Sequence, residues 1–168
     1  NSLRNAVRVA MAIGASTNIV LHLSAIAYEI GISGDRMMSI YEELSHSTPQ
    51  VAKVNPASKY DMEAFHKAGG IPRVLEELRS LLHLEVTTVS GTSLKEGLDS
   101  YQPRYEVDRE IIKTVGEPFN KEKGIAILRG NLAPRTAVTK PAAIHSSMWN
   151  FTGTARVFNC EEDANKAI

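Results

Sequence analysis

Residue types that bind anions or orient hydroxyl groups occur together at positions 127–140, in the stretch ILRGNLAPRTAVTK. Its apolar ends predict two strands, and the Gly-Asn pair and the proline between them predict a turn. In such a hairpin Arg135 and Lys140 could bind a carboxylate or a phosphate, and Asn131 could orient a hydroxyl group. The alternative is an ordinary exposed hairpin with solvated charges. Composition alone favours that alternative, because exposed charges usually contribute little.

A second polar group precedes an apolar helical pattern at positions 19–30. Ser16, Thr17 or Asn18 can cap the helix that this pattern predicts, after the interruption at Gly14. A helix start of this type presents free backbone N–H groups, which can bind an anion. The simpler interpretation is that these residues only cap a buried helix, which is their common use.

Other chemistries lack their sequence motifs. The five histidines never pair at i and i+4, and HExxH, CxxC and GxSxG are absent. We therefore expect no metal site formed by this sequence alone and no serine nucleophile. His22 lies in an apolar helical pattern and is expected to be a buried core residue. Cys160 precedes three acidic residues, which makes it a poor nucleophile, and one thiol cannot hold an iron–sulfur cluster.

Composition excludes some classes of protein. The formal net charge is zero, so the sequence has no basic surface typical of nucleic-acid binding. No apolar run approaches the ~20 residues of a membrane span. The apolar fraction of 43% suffices for a core, and the single cysteine suits a cytoplasmic protein. Because a helical pattern begins at Asn1 and another is still running at Ile168, we expect an interior piece of a longer protein.

Periodicity predicts helices first and strands later. From position 124 the pattern changes from helical to strand-like, and the polar, proline-containing segment 101–123 reads as a connection. Helices are predicted at 3–11, 19–30, 33–45, 60–66, 72–82, 94–98 and from 161, with Pro72 at a first helical position; strands are predicted at 51–54, 125–128, 137–139 and 155–158.

Four stretches resemble the motifs of one enzyme family, in the family's order. Positions 6–18, AVRVAMAIGASTN, resemble "MA-[IL]-GGSTN", and positions 61–72, DMEAFHKAGGIP, resemble "MEDFHxAGGIP". Positions 81–94 resemble "LLHxDxxTVTGKTL", and positions 124–134 resemble "GGIAILRGNLAP", followed by KPAA. Only 101–123 matches loosely. The sequence is thereby identified as a member of the dihydroxy-acid and sugar-acid dehydratase family, which includes the phosphogluconate dehydratases.

The resemblance implies a reaction and its cofactors. The family dehydrates 2,3-dihydroxy carboxylates to 2-keto acids, with an iron–sulfur cluster acting as Lewis acid on the leaving hydroxyl and Mg²⁺ on the carboxylate side. The family's cluster cysteines, magnesium ligands and serine base segment lie outside the stretch that this sequence matches. We therefore expect no catalytic residue and no metal ligand within these 168 residues, which alone should be inactive.

The resemblance also implies an α/β fold in two parts. Residues 1–100 would be the C-terminal, helical part of a larger α/β domain, and 101–123 the interdomain connection. Residues 124–168 would begin a smaller β-rich, barrel-like domain. The family acts on a small dihydroxy or sugar acid, and a homodimer is expected.

Because the family's active site lies between those domains, we expect two segments to line the substrate cleft. The candidates are Ser16, Thr17, Asn18, Gly130, Asn131 and Leu132. The sequence departs from the family pattern at Ala15, where glycine is usual, and at 135–136, where Arg-Thr replaces Asp-Gly or Arg-Gly.

Three functional alternatives remain at this stage. The first is part of a dihydroxy-acid dehydratase of branched-chain amino-acid biosynthesis, which the RVF segment and the tail containing Asp163 favour slightly. The second is part of a sugar-acid dehydratase, acting on an aldonate or a phosphogluconate. The third is a non-catalytic interaction module that keeps the fold and a dimer surface but binds no metal.

Overall fold

The computed structural model describes residues 1–121, 124–141 and 144–168 as helices, a two-stranded sheet and connecting segments, a mixed architecture compatible with the α/β class. The two strands pair antiparallel, with Ala126 opposite Thr139 and Leu128 opposite Ala137. The α-helices and strands are α1 (Ser2–Ala12), α2 (Asn18–Glu29), α3 (Gly34–Ser45), α4 (Met62–Lys67), α5 (Gly70–Glu77), α6 (Leu94–Asp99), β1 (Ala126–Leu128), β2 (Ala137–Thr139) and α7 (Glu161–Lys166). Short 3-10 helices cover Arg79–Leu81 and Ser146–Met148.

A first hydrophobic cluster joins α1, α2 and α3 to the start of β1. Val7 and Met11 of α1, Leu44 of α3 and Ile125 beside β1 are fully buried in it. The helical spacing of these apolar residues accounts for the amphipathic pattern of α1 and α3. This cluster holds the hairpin of β1 and β2 against α3.

A second hydrophobic cluster lies on the other side of α1. It contains Phe65 of α4, Val74 of α5, Ala52, Ile112 and, from α1 itself, Ala12. Adjacent residues of α1 therefore enter different clusters, with Met11 in the first and Ala12 in the second. The C-terminal turn of α1 thus joins the two clusters.

Asn5 attaches α1 to the segment that follows α5. Its side-chain Nδ2 donates to the carbonyl oxygen of His83 at 2.8 Å, and its Oδ1 accepts from the N–H of His83 at 2.9 Å. Asn5 is buried, so both halves of its amide need these partners.

The described part of the predicted connection, residues 101–121, is packed more tightly than its polar composition suggested. Ile111 and Ile112 are buried in the second cluster. Ala52 and Ile112 form one isolated antiparallel bridge, and Gln50 and Asn120 form another. The strand predicted at 51–54 is therefore reduced to single-residue pairings with this segment.

Three further expectations were wrong. The segment 155–158 forms no strand, because residues with a preference for strands, such as Val157 and Phe158, still need a partner strand. His22 is exposed, since only one face of α2 packs inward. Pro72 is the third residue of α5, which begins at Gly70 after Gly69 adopts a left-handed conformation with φ of 109°.

The outward face of α2 also carries large apolar side chains. It exposes Leu21, Ile26 and Tyr28, and Ile30 is exposed just after the helix, although Val20, Leu23 and Ala27 on the other face are buried. Among the described residues, no helix has the length and apolarity needed to cross a membrane.

Candidate functional site

A cleft of about 880 Å³ lies between α2, the start of α3 and the β1–β2 hairpin. Apolar side chains form part of its wall, and hydroxyl and charged groups form the rest. The polar residues that line it are Thr17, Ser24, Asp35, Ser39, Arg129, Arg135 and Thr136. Such a mixture suits a small polar ligand, because a few polar groups fix orientation within an otherwise apolar surface.

The hairpin wall is held in place by Arg129. Its Nη1 donates to the carbonyl oxygen of Arg135 at 2.6 Å, across the turn. Its Nη2 donates to Oε2 of Glu42 on α3 at 3.2 Å, forming an ion pair. One guanidinium therefore closes the turn and attaches the turn to α3.

Arg135 lacks the kind of side-chain contacts that hold Arg129. Its side chain is exposed at the cleft, and it makes no hydrogen bond or ion pair with any residue that the structure describes. The guanidinium is therefore available to a ligand carboxylate.

The opposite wall begins at the N-terminus of α2. Ser16 Oγ accepts from the backbone N–H of Asn18 at 3.3 Å, a local contact two residues along the chain. Thr17 is the N-cap residue of α2, but its side chain makes no capping hydrogen bond. The start of α2 therefore has no side-chain cap, and the Thr17 side chain lines the cleft.

Ser24 and Tyr41 lie deeper in the structure. Tyr41 donates from its hydroxyl to the carbonyl oxygen of Ile19 at 3.0 Å. Burial raises the pKa of Tyr41 to about 12, an increase that the nearby Ser24 hydroxyl partly offsets. Tyr41 therefore stays protonated and structural. Ser24 Oγ is itself buried and has no hydrogen-bond partner among the described residues, although Ser24 lines the cleft.

Lys140 follows β2 and extends toward the turn at the end of α1. Its Cε lies 3.8 Å from the position that a Cβ at Gly14 would occupy. Gly14 has φ of +59°, and a Cβ there would collide with the Gln50 amide. Burial lowers the pKa of Lys140, which is half-buried and pairs with no anion among the described residues.

The structure brings together part of the predicted site. Thr17 lines the cleft, whereas Gly130, Asn131 and Leu132 are exposed at the hairpin tip and do not line it. Ser16 and Asn18 are exposed beside Thr17.

Sequence reasoning missed the contribution of α3 to the cleft. Asp35 and Ser39 line it from one face of this helix, opposite the buried stripe that includes Met37 and Tyr41. Their spacing of four residues could have indicated a shared polar face of α3, because positions i and i+4 lie on the same side of a helix.

A second cavity of about 740 Å³ lies beside α5 and α6. Most of its charged groups already neutralise one another. Arg79 pairs with Asp99 and with Glu76, the latter at 3.1 Å, and Arg73 pairs with Glu77 at 2.5 Å. This cavity therefore offers less to a charged ligand than the cleft does.

The described residues do not fit an iron–sulfur cluster or a protein-bound divalent cation. Within 1–121, 124–141 and 144–168, no group of three His, Cys, Asp or Glu residues is placed to hold a metal ion. Cys160 is exposed, and its one thiol is fewer than the several thiolates that a cluster takes.

Two family profiles match the sequence. The profile described as dihydroxy-acid/6-phosphogluconate dehydratase N-terminal matches residues 1–97, and the corresponding C-terminal profile matches 110–168. Among the similar curated proteins are dihydroxy-acid dehydratases of Ignicoccus hospitalis, 43% identical, and of Solidesulfovibrio magneticus, 46% identical; each alignment covers 99% of this chain and 30% of the relative. That of Methanospirillum hungatei JF-1 is 46% identical over 99% of this chain and 29% of its own length. The chain thus spans about 30% of the length of these relatives.

Proposed function

Because the chain belongs to the dihydroxy-acid/6-phosphogluconate dehydratase family, we propose that the full-length protein converts 2,3-dihydroxy carboxylic acids into 2-keto acids. The branch that we propose is dihydroxy-acid dehydratase, in branched-chain amino-acid biosynthesis, since relatives at 43–46% identity carry that name. A sugar-acid dehydratase is the second candidate, because the matching family also covers 6-phosphogluconate dehydratases.

The observation that carries the proposal for this part of the protein is the cleft shared by Thr17 and Arg135. A guanidinium without a partner among the described residues can attract an anionic substrate, and a threonine hydroxyl can donate to or accept from a substrate hydroxyl. These residues bind and orient the substrate. Ser16, Asn18, Gly130, Asn131 and Leu132 are proposed as the edges of the same cleft in the full-length protein.

The domain layout is part of the proposal. We assign 1–100 to the larger α/β domain, 101–123 to the connection and 124–168 to the start of a smaller β-rich, barrel-like domain. The antiparallel pairing of β1 and β2 directly after the connection supports this division. The apolar outer face of α2 supports a contact with the remainder of the protein or with a second subunit of a homodimer.

Membership of the family also suggests the cofactors of the full-length protein. We propose that the full-length protein uses an iron–sulfur cluster and Mg²⁺, which supply Lewis acidity when bound, with ligands outside these 168 residues. The sequence supports that assignment, because its single cysteine, Cys160, cannot supply the several thiolates that a cluster takes. We further propose a cytoplasmic location, where a reduced thiol is stable.

The test is a measurement on the full-length protein, purified anaerobically. Iron, acid-labile sulfide and keto-acid formation are measured with 2,3-dihydroxyisovalerate and with a panel of sugar acids that includes 6-phosphogluconate. Turnover of 2,3-dihydroxyisovalerate above all sugar acids supports the dihydroxy-acid branch, and the reverse order supports the second candidate. A folded protein with neither cluster nor turnover contradicts both and supports the non-catalytic alternative.

A further inference from the structure

One strip along the outer side of α2 combines an apolar centre with an ionisable group at each end. It consists of His22, Ala25, Ile26 and Glu29 and is called the α2 face below. These positions have the i, i+3, i+4 and i+7 spacing that places side chains on one side of a helix. All four residues are exposed, and Ile26 is 54% exposed. Such a strip is typical of a surface that contacts another protein surface.

The two ionisable groups of the α2 face are unused by the rest of the described chain. Neither His22 nor Glu29 forms a hydrogen bond or an ion pair within residues 1–121, 124–141 and 144–168. Seven helical residues place them about 10 Å apart along the axis, at 1.5 Å per residue, so they do not reach each other. The face therefore presents an imidazole donor at one end and a carboxylate acceptor at the other.

A second copy of α2 supplies the complementary arrangement. Consider two antiparallel helices related by a two-fold axis that passes between Ala25 and Ile26. His22 of each copy then lies level with Glu29 of the other, and the axis generates the same contact twice. Ala25 lies level with Ile26 of the other copy. Because Ala25 is small, the helix axes can approach to the lower end of the usual range of about 8–10 Å.

The order of residues in the α2 face distinguishes this occupant from others. A parallel pair of helices sets His22 beside His22 and Glu29 beside Glu29, so that like charges meet. The chain spans about 30% of the length of its relatives, and the remainder of the same polypeptide is the competing occupant. A partner of unrelated sequence requires no particular order of donor, apolar centre and acceptor. The observed order is self-complementary, which favours a second copy.

We infer that the α2 face pairs antiparallel with the same face of a second copy of the chain, with His22 of each copy against Glu29 of the other. The inference rests on the homodimer named in the proposed function and deepens it by assigning the contact and its register. Leu21, at the edge of the face, also lines the cleft. The dimer contact therefore adjoins the cleft of each subunit.

The experiment exchanges the charges of this pair in the full-length protein. His22→Glu sets two carboxylates against each other at both ends of the contact and should increase the dimer dissociation constant about tenfold to a hundredfold. The double variant His22→Glu/Glu29→Lys restores opposite charges and should return the constant to within about threefold of wild type. Sedimentation equilibrium of the ligand-free proteins measures the constants. His83→Glu is the matched control, because His83 is also exposed, and it should leave the constant unchanged.

Ala25→Glu tests the apolar centre of the contact. A longer, charged side chain beside the two-fold axis prevents the close approach of the helices. This variant should therefore be mainly monomeric at concentrations at which wild type is dimeric. Because the substituted positions are exposed, every variant should keep the far-UV circular dichroism of wild type.

Two outcomes overturn the inference while the homodimer stands. The first is a dissociation constant that His22→Glu leaves unchanged, and the second is a weakening that the double variant does not reverse. Failure of both His22→Glu and the double variant to fold also overturns it, because the remainder of the same chain would then cover the face. A wild type that is monomeric contradicts the inference and the homodimer together. Turnover is measured on the same samples, and a dimeric wild type without turnover contradicts only the proposed reaction.

Discussion

Asn120 donates a hydrogen bond from Nδ2 to Oε1 of Gln50 at 2.6 Å, across 70 positions of sequence. The same two residues pair through their backbones, since Gln50 N–H donates to the carbonyl oxygen of Asn120 at 2.8 Å. Gln50 is fully buried and lies against Gly14. The segment that precedes the hairpin is thus attached directly beneath the turn that leads into α2.

Substitution Asn120→Ala should lower the free energy of unfolding by about 1–3 kcal/mol, because it leaves Oε1 of buried Gln50 without its donor. Urea denaturation of the full-length protein measures the change. Asn159→Ala is the control; Asn159 is exposed, so its removal should cost less than about 0.5 kcal/mol. Equal effects of the two substitutions would show that the Gln50–Asn120 contact contributes nothing to stability.

The hydrogen bonds between Asn5 and His83 can be tested with a substitution of His83 as the control. Asn5→Ala removes both hydrogen bonds to the backbone of His83 and should cost about 2 kcal/mol. His83→Ala should change stability little, because the His83 side chain is exposed and the contact uses only backbone atoms. Thermal denaturation of both variants checks this. A His83→Ala effect as large as that of Asn5→Ala would contradict the assignment.

Gly124 fixes the approach of the hairpin to α1. A Cβ at this position would collide with the carbonyl oxygen of Met11. Gly124→Ala should therefore destabilise the protein by about 1–3 kcal/mol through overpacking. Gly97→Ala in α6 is the matched control, since a Cβ there meets open space and alanine should stabilise the helix by about 0.5–1 kcal/mol. Opposite signs of the two changes in denaturant midpoint are expected, and a neutral Gly124→Ala would contradict the close contact.

Thr17→Val tests the cleft itself. Valine keeps the shape of the side chain and removes the hydroxyl, so kcat/KM for the proposed dihydroxy-acid substrate should fall about three- to tenfold while stability is preserved. Steady-state kinetics of the full-length protein measure it, with Thr154→Val, at an exposed position, as the control. If the two variants had the same kcat/KM, Thr17 would not contact the substrate.

The ion pair of Arg4 with Glu43 joins α1 to α3 and predicts a pH dependence. Hydrogen bonding to Arg4 lowers the pKa of Glu43 below 4.5. At pH values between the lowered, folded pKa and 4.5, the unfolded chain therefore binds more protons at Glu43 than the folded chain does. The stabilisation by this pair is complete above pH 4.5 and is lost as pH falls through the folded pKa. Because Glu43 is mostly exposed, Glu43→Gln should cost less than about 1 kcal/mol at neutral pH.

Thermal midpoints of wild type and Glu43→Gln, measured from neutral to strongly acidic pH, check this prediction. The difference between them should shrink on the acidic side and also on addition of salt, which screens exposed charges. A difference that stayed constant throughout the acidic range would show that the pair does not titrate as described.

The longer helices and the hairpin could be predicted from the sequence. The apolar spacing in α1 and α3 indicated their extents closely, and Ser33 caps α3 by accepting from the N–H of Arg36 at 3.3 Å. The hairpin strands at 126–128 and 137–139 were also confirmed. These elements follow from local periodicity and turn residues, which a sequence shows directly.

Features that depend on a distant partner could not be predicted in this way. The segment 155–158 has a strand-like composition without a partner strand, and His22 lies on an apolar helix whose outer face is uncovered. For the site, the motif at 14–18 indicated Thr17. The difference between Arg129, which pairs with Glu42, and Arg135, which pairs with no residue that the structure describes, depends on the approach of α3. No local pattern distinguishes these two arginines.

The two walls of the cleft come from segments more than 100 residues apart, Thr17 on one side and Arg135 on the other. At a synthesis rate of about 5–20 residues per second, the ribosome would complete the second wall roughly 6–24 s after the first. During that interval α2 would have no hairpin facing it, and its apolar surfaces would be accessible to chaperones. The cleft is therefore completed only after its second wall has been synthesised, and its assembly depends on closing one long loop.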